Sequence, residues 1–255
     1  MKYSIIGTGN VALHLVTMLS GCGHQLLQVY GRQKSEAQAI AGVGGGKITL
    51  SLNDISDEND LIFIAVSDDA IKEISAQLSA KIPVVHTSGN TSMDILQQNI
   101  RGVVWPLFSF SKIIKINYDQ IPFLIEASDD VFKKMLSEVF EKISGKVYSI
   151  SSEERKKVHL AAVFANNFTN HLMHLSDNIL SEIPLPFDVL MPMIKNQIEA
   201  ADQTSLLESQ TGPARRNDRI TIEDHLKMIK DNDDLTSIYT SITNSILKTY
   251  HEKKL

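Results

Sequence analysis

The stretch Met1–Ala12, MKYSIIGTGNVA, decides the fold. A short apolar run, Tyr3–Ile6, leads into the pattern G-x-G-x-x-A, and a helix-compatible run, Leu13–Leu19, follows. In such a strand–turn–helix unit the glycines let backbone approach a pyrophosphate, and the helix N-terminus offers unpaired N–H groups to the phosphates. The stretch therefore predicts dinucleotide binding, and a purely structural glycine turn is the alternative. The candidate cofactor residues are Gly7, Thr8, Gly9, Asn10 and Val11.

The residues after the predicted second strand, Gln25–Tyr30, indicate which nicotinamide cofactor binds. An acid at this point hydrogen-bonds the ribose of NAD, whereas a basic residue accommodates the 2′-phosphate of NADP. This chain has Arg32, Lys34 and Ser35 there and no acid before Glu36. Because a guanidinium also matches phosphate geometry, we expect NADP(H) as the cofactor. The alternative is that these cations are solvated loop charges.

Five more apolar runs continue the α/β pattern, as expected for a sheet covered on both faces. Strands are predicted at Asp60–Val66, Pro83–Gly89, Gly102–Leu107, Pro122–Glu126 and Lys146–Ile150, with a helix at Asp130–Ile143. A short helix is expected at Ser35–Ala41, and Gly42–Gly46 is interpreted as a connecting loop.

Ligands of open α/β sheets bind at the carboxyl ends of the strands, so the residues there are candidates. Those assigned to the cofactor are Val66, Ser67 and Ser88, and those assigned to the substrate are His86, Thr87 and Pro106. A buried structural role explains His86 equally well. The acids that follow Ser67, Asp68 or Asp69, are expected to cap the next helix.

After Glu153 the strand signals stop and the chain becomes helical. A helix predicted over Ser152–Ser181 has an apolar face, while its opposite face carries amides and imidazole more than Lys or Glu. A solvated face is the default explanation of such a stripe, but this mixture fits a partly buried cleft wall better. The apolar face is Ala161, Phe164, Ala165, Phe168, Leu172, Leu175 and Ile179, and the polar face is His159, Asn166, Asn170 and Asp177.

The chain thus divides into an N-terminal Rossmann-type domain with a doubly wound parallel sheet, residues 1–151, and an all-α domain, residues 152–255. Further helices are predicted over Phe187–Glu208 and Asp233–Tyr250. An arginine-rich turn, TGPARRNDR at residues 211–219, precedes a helix expected to begin with a capping box of Thr221 and Asp224. Its arginines either pair with surface acids or hold an anionic substrate or a partner subunit. The substrate candidates there are Arg216 and Asp218.

The composition argues against several classes of protein. The chain of 255 residues has a formal net charge of −5 with both signs mixed, so nucleic acid is not an expected partner. The single cysteine, Cys22, fits a reducing cytoplasm and is interpreted as a packing residue. No apolar stretch has the length of a membrane span or the form of a signal peptide. No His/Cys cluster has metal-ligand spacing, so no metal is expected.

Several segments together resemble one family: GTGNVA, GRQKSE, VSDDAI, HTSG, WPL, KVHLAAVFANNF and TGPARRND. They are similar to Rossmann-type proteins assigned as NADP oxidoreductases whose C-terminal half is a helical domain of unknown function. In layout the chain also resembles pyrroline-5-carboxylate, ketopantoate and deazaflavin-dependent NADP reductases. The resemblance covers nearly the whole chain, and HTSG and GP-x-x-R-x-D are its more specific parts. It implies a helical domain of the 6-phosphogluconate dehydrogenase C-terminal type that forms a homodimer, and a substrate site in the cleft between the domains.

One departure concerns the catalytic pair Lys-x-x-x-Asn of the related hydroxyacid dehydrogenases, because Ala161 stands four residues after Lys157. Hydride transfer would still need a proton donor, for which His159 is the candidate, with Asn166 or Asn170 orienting the substrate. The preferred interpretation is an NADP(H)-dependent oxidoreductase of a small, anionic carbonyl or imine compound. The alternatives are a non-catalytic NADP(H)-binding sensor or regulatory protein, and a helical interaction module in which the nucleotide is only structural.

Overall fold

The computed structural model describes residues 1–111 and 116–251, which form two compact units. The first runs from Met1 to Phe164 and the second begins at Ala165. The strands described in the first unit are β1 (Lys2–Ile6), β2 (Gln25–Tyr30), β3 (Lys47–Thr49), β4 (Leu61–Ile64), β5 (Val84–His86), β6 (Arg101–Pro106), β7 (Phe123–Ala127) and β8 (Val147–Ser149).

These strands form one sheet of order β3-β2-β1-β4-β5-β6-β7-β8, in which every pair is parallel except β6 with β7. The helices of this unit are α1 (Asn10–Gly21), α2 (Lys34–Gly44), α3 (Asp68–Gln77), α4 (Asp130–Glu141) and α5 (Ser152–Ala162). The strand order reverses direction between β1 and β4, which is the topological switch point of a doubly wound fold. The predicted Rossmann-type fold is therefore confirmed.

The sheet is covered on both faces, which explains why its strands are apolar along their length. All four residues of β4, Leu61–Ile64, are fully buried, and alternate side chains point to opposite faces. Leu61 and Phe63 belong to the core cluster that includes apolar residues of α1, α2 and α4. The other two, Ile62 and Ile64, pack with Ile71 of α3. Alternation within a single strand thus places helices on both sides of the sheet.

The third strand was missed by the sequence analysis. The helix predicted at Ser35–Ala41 extends to Gly44, and β3 directly follows the predicted loop Gly42–Gly46, where no strand was predicted. A Cβ atom added at Gly46 would lie 2.7 Å from Cγ of Leu26, so glycine here allows the chain to pass close to β2. The glycine-rich segment therefore serves packing as well as connection.

Two predicted helix caps are wrong. The N-cap of α3 is Ser67, and Asp68 and Asp69 lie in the first turn, where the helix dipole favours acids. The helix expected to start with Thr221 and Asp224 starts earlier, at Arg219. Its cap is Asp218, whose carboxylate accepts hydrogen bonds from the backbone N–H of Thr221 (3.1 Å) and from its hydroxyl (2.8 Å). An aspartate is as good a cap as threonine, so residue preference alone does not decide between the two positions.

The helix predicted over Ser152–Ser181 is not one regular α-helix. The helix α5 ends at Ala162, and residues Val163–Phe168 form a π-helical turn. A π turn makes i→i+5 hydrogen bonds, so it shifts the angular phase of every later side chain. The apolar and polar faces predicted at 3.6 residues per turn therefore do not continue through this segment.

The second unit is helical. Its helices are α6 (Thr169–Leu180), α7 (Met191–Gln203), α8 (Pro213–Arg216), α9 (Arg219–Met228) and α10 (Asp233–His251). The predicted last helix is confirmed, whereas the helix predicted over Phe187–Glu208 is a 3-10 turn, Phe187–Leu190, followed by the shorter α7. The predicted all-α character of this part of the chain is confirmed.

Candidate functional site

The glycine-rich turn connects β1 to α1 at the switch point of the sheet. Gly7 has φ of +124°, and a Cβ atom there would lie 2.1 Å from the carbonyl oxygen of Ala65, so β1 and the residues after β4 approach closely only with glycine. Gly9 is the N-cap of α1, and a Cβ atom there would meet no atom within 4 Å. The first turn of α1 holds no acid and no side chain caps it. Its N–H groups therefore face a space that suits a pyrophosphate.

The side chains of this turn are used to hold it in place. The hydroxyl of Thr8 donates to the carboxylate of Glu36 (2.7 Å), and the amide of Asn10 donates to the carbonyl oxygen of Phe110 (2.9 Å). Val11 is half-buried and packs on the core. A ligand at this turn is consequently offered backbone N–H groups, which is how dinucleotide-binding turns hold phosphates.

The predicted phosphate-recognition residues follow β2 directly beside this turn. A Cβ atom at Gly31 would lie 2.5 Å from Cγ2 of Thr8, which shows how close the two segments come. The next residues, Arg32, Lys34 and Ser35, are all exposed. Within residues 1–111 and 116–251, neither Arg32 nor Lys34 has an ion-pair partner. Two uncommitted cations fit the 2′-phosphate of NADP.

His86 ends β5 and faces inward. Its Nδ1 accepts a hydrogen bond from the backbone N–H of Ser88 (3.1 Å), and its Nε2 contacts the carbonyl oxygen of Ser92 (3.3 Å). The side chain is fully buried, and burial together with the nearby Arg155 guanidinium lowers the pKa of His86 to about 4. The ring is therefore neutral near pH 7, with Nε2–H donating to Ser92. Both nitrogens are committed to holding the turn.

The polar groups of the turn after β5 form hydrogen bonds within the turn and to the neighbouring strand. The hydroxyl of Ser88 accepts the backbone N–H groups of Asn90 (3.1 Å) and Thr91 (2.9 Å) and donates to the hydroxyl of Thr91 (3.0 Å). The backbone N–H of Thr87 donates to Ile64 of the neighbouring strand (3.2 Å). Next to this turn, Val66 is half-buried and Ser67 is exposed after β4. The carboxyl ends of β4 and β5 thus form a rigid wall at the switch point.

His159 of α5 lies against this wall. A Cβ atom added at Gly89 would lie 2.6 Å from Cδ2 of His159 and 2.6 Å from Cε2 of Trp105. The two rings contact each other, with centroids 5.6 Å apart and planes inclined by 31°. His159 is half-buried, and its ring nitrogens have no hydrogen-bond partner in the described part of the chain. The fold therefore brings His159, the candidate proton donor, to the carboxyl ends of β5 and β6. Trp105, one residue before the candidate Pro106, was missed.

A buried ion pair was also missed by the sequence analysis. Arg155 is fully buried, and its guanidinium binds the carboxylate of Glu126 at the end of β7. It also donates to the carbonyl oxygen of Thr91 and to the hydroxyl of Ser152 (3.1 Å). Arg155 and Glu126 are 29 residues apart, so no local pattern links them. A charged residue at the end of an apolar strand was the one available signal.

The remaining candidates belong to the second unit. Asn166 and Asn170 are exposed, and so is Arg216 of α8. The carboxylate of Asp218 caps α9, and hydrogen bonds from Thr221 lower the pKa of this carboxyl.

Within the described ranges no group of His, Cys, Asp and Glu side chains is arranged to hold a metal ion. The described helices also include none with the length and apolarity needed to cross a membrane.

Two family models match the chain. Residues 2–87 match the family described as NADP oxidoreductase, coenzyme F420-dependent, and residues 121–246 match a domain of unknown function, DUF2520. A search of curated proteins finds no match.

Several solved structures are similar over almost their whole length. A Bacteroides fragilis protein assigned as an NADP oxidoreductase is 32% identical, with a TM-score of 0.89 and coverage of 97% of this chain and 98% of that chain. A Thermotoga maritima protein is 27% identical, with a TM-score of 0.73 and coverage of 98% and 100%. A 1-pyrroline-5-carboxylate reductase from Streptococcus pyogenes shares the fold, at 15% identity, a TM-score of 0.64 and coverage of 98% of both chains.

These matches confirm the resemblance that the sequence motifs carried. They also agree with the glycine turn and with the uncommitted cations after β2, which fit a phosphorylated dinucleotide. The protein belongs to the NADP oxidoreductase family in which a Rossmann-type NADP-binding domain is followed by this helical domain of unknown function, and its cofactor is NADP(H).

Proposed function

We propose that the protein is an NADPH-dependent reductase of a small carbonyl or imine compound and that His159 donates the proton. The observation that carries the proposal is the position of the His159 ring, packed on Gly89 and Trp105 beside the carboxyl ends of β5 and β6. In doubly wound folds this edge is where the reacting part of the ligand lies. A half-buried imidazole with uncommitted nitrogens is the side chain best suited to donate a proton near neutral pH.

In the proposed reduction the cofactor supplies the hydride and the protein supplies the proton. When bound, NADPH supplies the hydride that adds to the carbonyl or imine carbon. The oxygen or nitrogen of that group then needs one proton. We assign its donation to Nε2 of His159, because this nitrogen is bonded to Cδ2, which lies 2.6 Å from the Cβ position of Gly89. His86, which was predicted to contact the substrate, is poorly suited to this role because its nitrogens are committed and it is neutral. Solvent restores the proton to His159 after each turnover.

The test is NADPH oxidation with a panel of small carbonyl and imine acids, comparing the parent with His159→Gln. General acid catalysis contributes about 10²- to 10⁴-fold, so kcat should fall by that range while the Kd for NADPH stays within about twofold. His24→Gln is the matched control, because His24 is also half-buried but lies at the amino end of β2. A His159→Gln variant that turns over like the parent would refute the proton-donor role.

A sensor that binds NADP(H) without turnover is the second candidate, and the missing Lys-x-x-x-Asn pair favours it. It predicts tight NADPH binding with no substrate-dependent oxidation across the panel. The reductase proposal predicts oxidation with at least one substrate, so the parent protein alone distinguishes the two.

We also propose that Asn166 or Asn170 orients the substrate. The exposure of both amides supports this role, and Asn170→Ala is expected to raise KM more than it lowers kcat.

We propose further that the protein is a homodimer through its helical unit. Two apolar side chains, those of Ala214 and Ile222, are buried within residues 165–251, and helices α6 and α7 bury none. This is a small core for a unit of this size, which supports a partner that covers its exposed apolar side chains. A groove of about 340 Å³ between α6 and α10 is lined by apolar side chains that include Leu172, Ile179, Ile242 and Ile246. A helix of a second copy is the occupant we propose.

A further inference from the structure

We propose that Arg155 is a positioning residue that holds His159 against the turn after β5. This inference rests on the reductase proposal, because positioning matters only if His159 acts on a substrate. The observation behind it is that one fully buried guanidinium joins three separate segments: the end of β7, the turn after β5 and the start of α5.

Each partner of Arg155 fixes a different neighbour. The carboxylate of Glu126 anchors the guanidinium to the sheet, and this carboxylate also accepts the backbone N–H (3.0 Å) and the hydroxyl (2.7 Å) of Ser152. The carbonyl oxygen of Thr91 ties the guanidinium to the turn. The hydroxyl of Ser152 in addition accepts the backbone N–H of Met93 (3.2 Å), so a second link joins α5 to the same loop.

The turn held in this way is itself rigid. The hydroxyl of Ser88 binds the backbone N–H and the hydroxyl of Thr91, whose carbonyl oxygen Arg155 contacts. The backbone N–H of Ser88 donates in turn to Nδ1 of His86. Displacement of Thr91 is therefore transmitted to Gly89, which lies between Ser88 and Thr91 in the chain. The guanidinium is thus the direct link, beside the bond between Met93 and Ser152, that fixes the position of Gly89 relative to α5.

His159 follows Arg155 by four residues and so lies on the same face of α5, one turn further along. This face points the guanidinium at Thr91 and the imidazole at Gly89. Arg155 thus binds the turn to which His159, on the same helix, packs. A shift of about 1 Å in a reacting group can cost about 10²-fold in rate. Arg155, one helical turn before His159, therefore affects proton transfer by holding the imidazole in position.

Lysine cannot replace Arg155 in making these hydrogen bonds. The guanidinium is a planar fork in which one terminal nitrogen binds Glu126 and the other binds Thr91 and Ser152. An ammonium group is a single point of charge and keeps the ion pair without the fork. Arg155→Lys therefore removes the bond to the carbonyl oxygen of Thr91 while it keeps the buried carboxylate of Glu126 neutralised.

The contact between Trp105 and His159 provides a readout that does not depend on turnover. Trp105 is the single tryptophan of the chain, and its ring packs against that of His159. A protonated imidazole quenches the fluorescence of an indole that it contacts, so the parent should show a pH-dependent change of Trp105 emission. His159→Gln should abolish this change, which identifies its source.

The experiment compares the parent, Arg155→Lys, and the double variant Arg155→Met with Glu126→Gln, which leaves no unpaired buried charge. We expect the pH-dependent part of Trp105 emission to fall by about half or more in both variants, with kcat reduced about 10- to 100-fold. The Kd for NADPH should remain within about twofold of the parent, which shows that the nucleotide turn is intact. Arg101→Lys is the matched control, because Arg101 also pairs with one acid and one carbonyl group but lies at the opposite end of β6.

Unchanged pH-dependent emission in both variants would overturn the inference. Absence of turnover in the parent would refute the reductase proposal instead, and the emission measurements would still decide whether Arg155 positions His159. If the variants lose emission changes, kcat and NADPH affinity together, Arg155 supports the whole unit and the positioning role is rejected.

Discussion

Replacing Gly9 by alanine should separate cofactor binding from folding. Gly9 has φ of −77°, which any residue adopts, and a Cβ atom there meets nothing within 4 Å. The free energy of unfolding should therefore change by less than about 0.5 kcal/mol. The methyl group does, however, project at the N-terminus of α1, where the pyrophosphate is expected to approach the backbone. Crowding of this kind costs about 1–3 kcal/mol, which weakens NADPH binding about 5- to 150-fold.

Gly7→Ala is the contrasting variant. Its Cβ atom would lie 2.1 Å from the carbonyl oxygen of Ala65, and the backbone has φ of +124°. Strain and displacement together should lower the free energy of unfolding by about 3 kcal/mol or more, and the Tm by about 6 °C or more. Gly21→Ala, at the other end of α1, is the control for a harmless added methyl group, because nothing lies within 4 Å of its Cβ position.

The assay is a fluorescence titration with NADPH, combined with thermal unfolding in the absence of nucleotide. Gly9→Ala should lose affinity with an unchanged Tm, Gly7→Ala should lose stability, and Gly21→Ala should keep both. If Gly9→Ala binds NADPH within about twofold of the parent, the phosphates do not approach this turn and the reasoning is refuted.

Three further predictions concern other parts of the molecule. Arg32→Ala should weaken NADPH binding about tenfold and leave NADH binding within about twofold, because a charge-assisted hydrogen bond to the 2′-phosphate is lost; equal effects on both nucleotides would contradict this role. Burial holds the pKa of His86 at about 4, below the value of about 6.5 in the unfolded chain, so the unfolded state binds more protons between these values and stability falls as the pH decreases. Denaturant unfolding should show a loss of about 2 kcal/mol from this group between about pH 7 and about pH 5, and His86→Gln should show a smaller loss; identical pH slopes would count against it. Arg216→Ala should raise KM for an anionic substrate or weaken dimerisation, measured by steady-state kinetics and sedimentation, and no change in either would exclude Arg216 from both roles.

The order of the first strand, the glycine turn and the first helix was evident from Met1–Ala12 because these signals are local. Apolar periodicity and glycine positions depend on neighbouring residues, so they predicted the Rossmann-type fold correctly. The basic residues Arg32 and Lys34 after the second strand, with no acid before Glu36, predicted NADP(H) correctly. The same reasoning failed where several local solutions were nearly equal in energy. Asp218 and Thr221 are both good caps, and residue preference alone did not identify Asp218 as the one used.

The arrangement of the candidate site was decided by contacts between residues distant in the chain. His159 was selected from its residue type, but only the folded chain brings its ring to Gly89 and Trp105. The pairing of Arg155 with Glu126 spans 29 residues and depends on β7 ending beside the start of α5. Sequence by itself determined the first strand, the glycine turn, the first helix and the cofactor, because each of these signals comes from adjacent residues. Tertiary structure decided which polar groups are committed and which are available, because hydrogen bonds and burial join segments that the sequence separates.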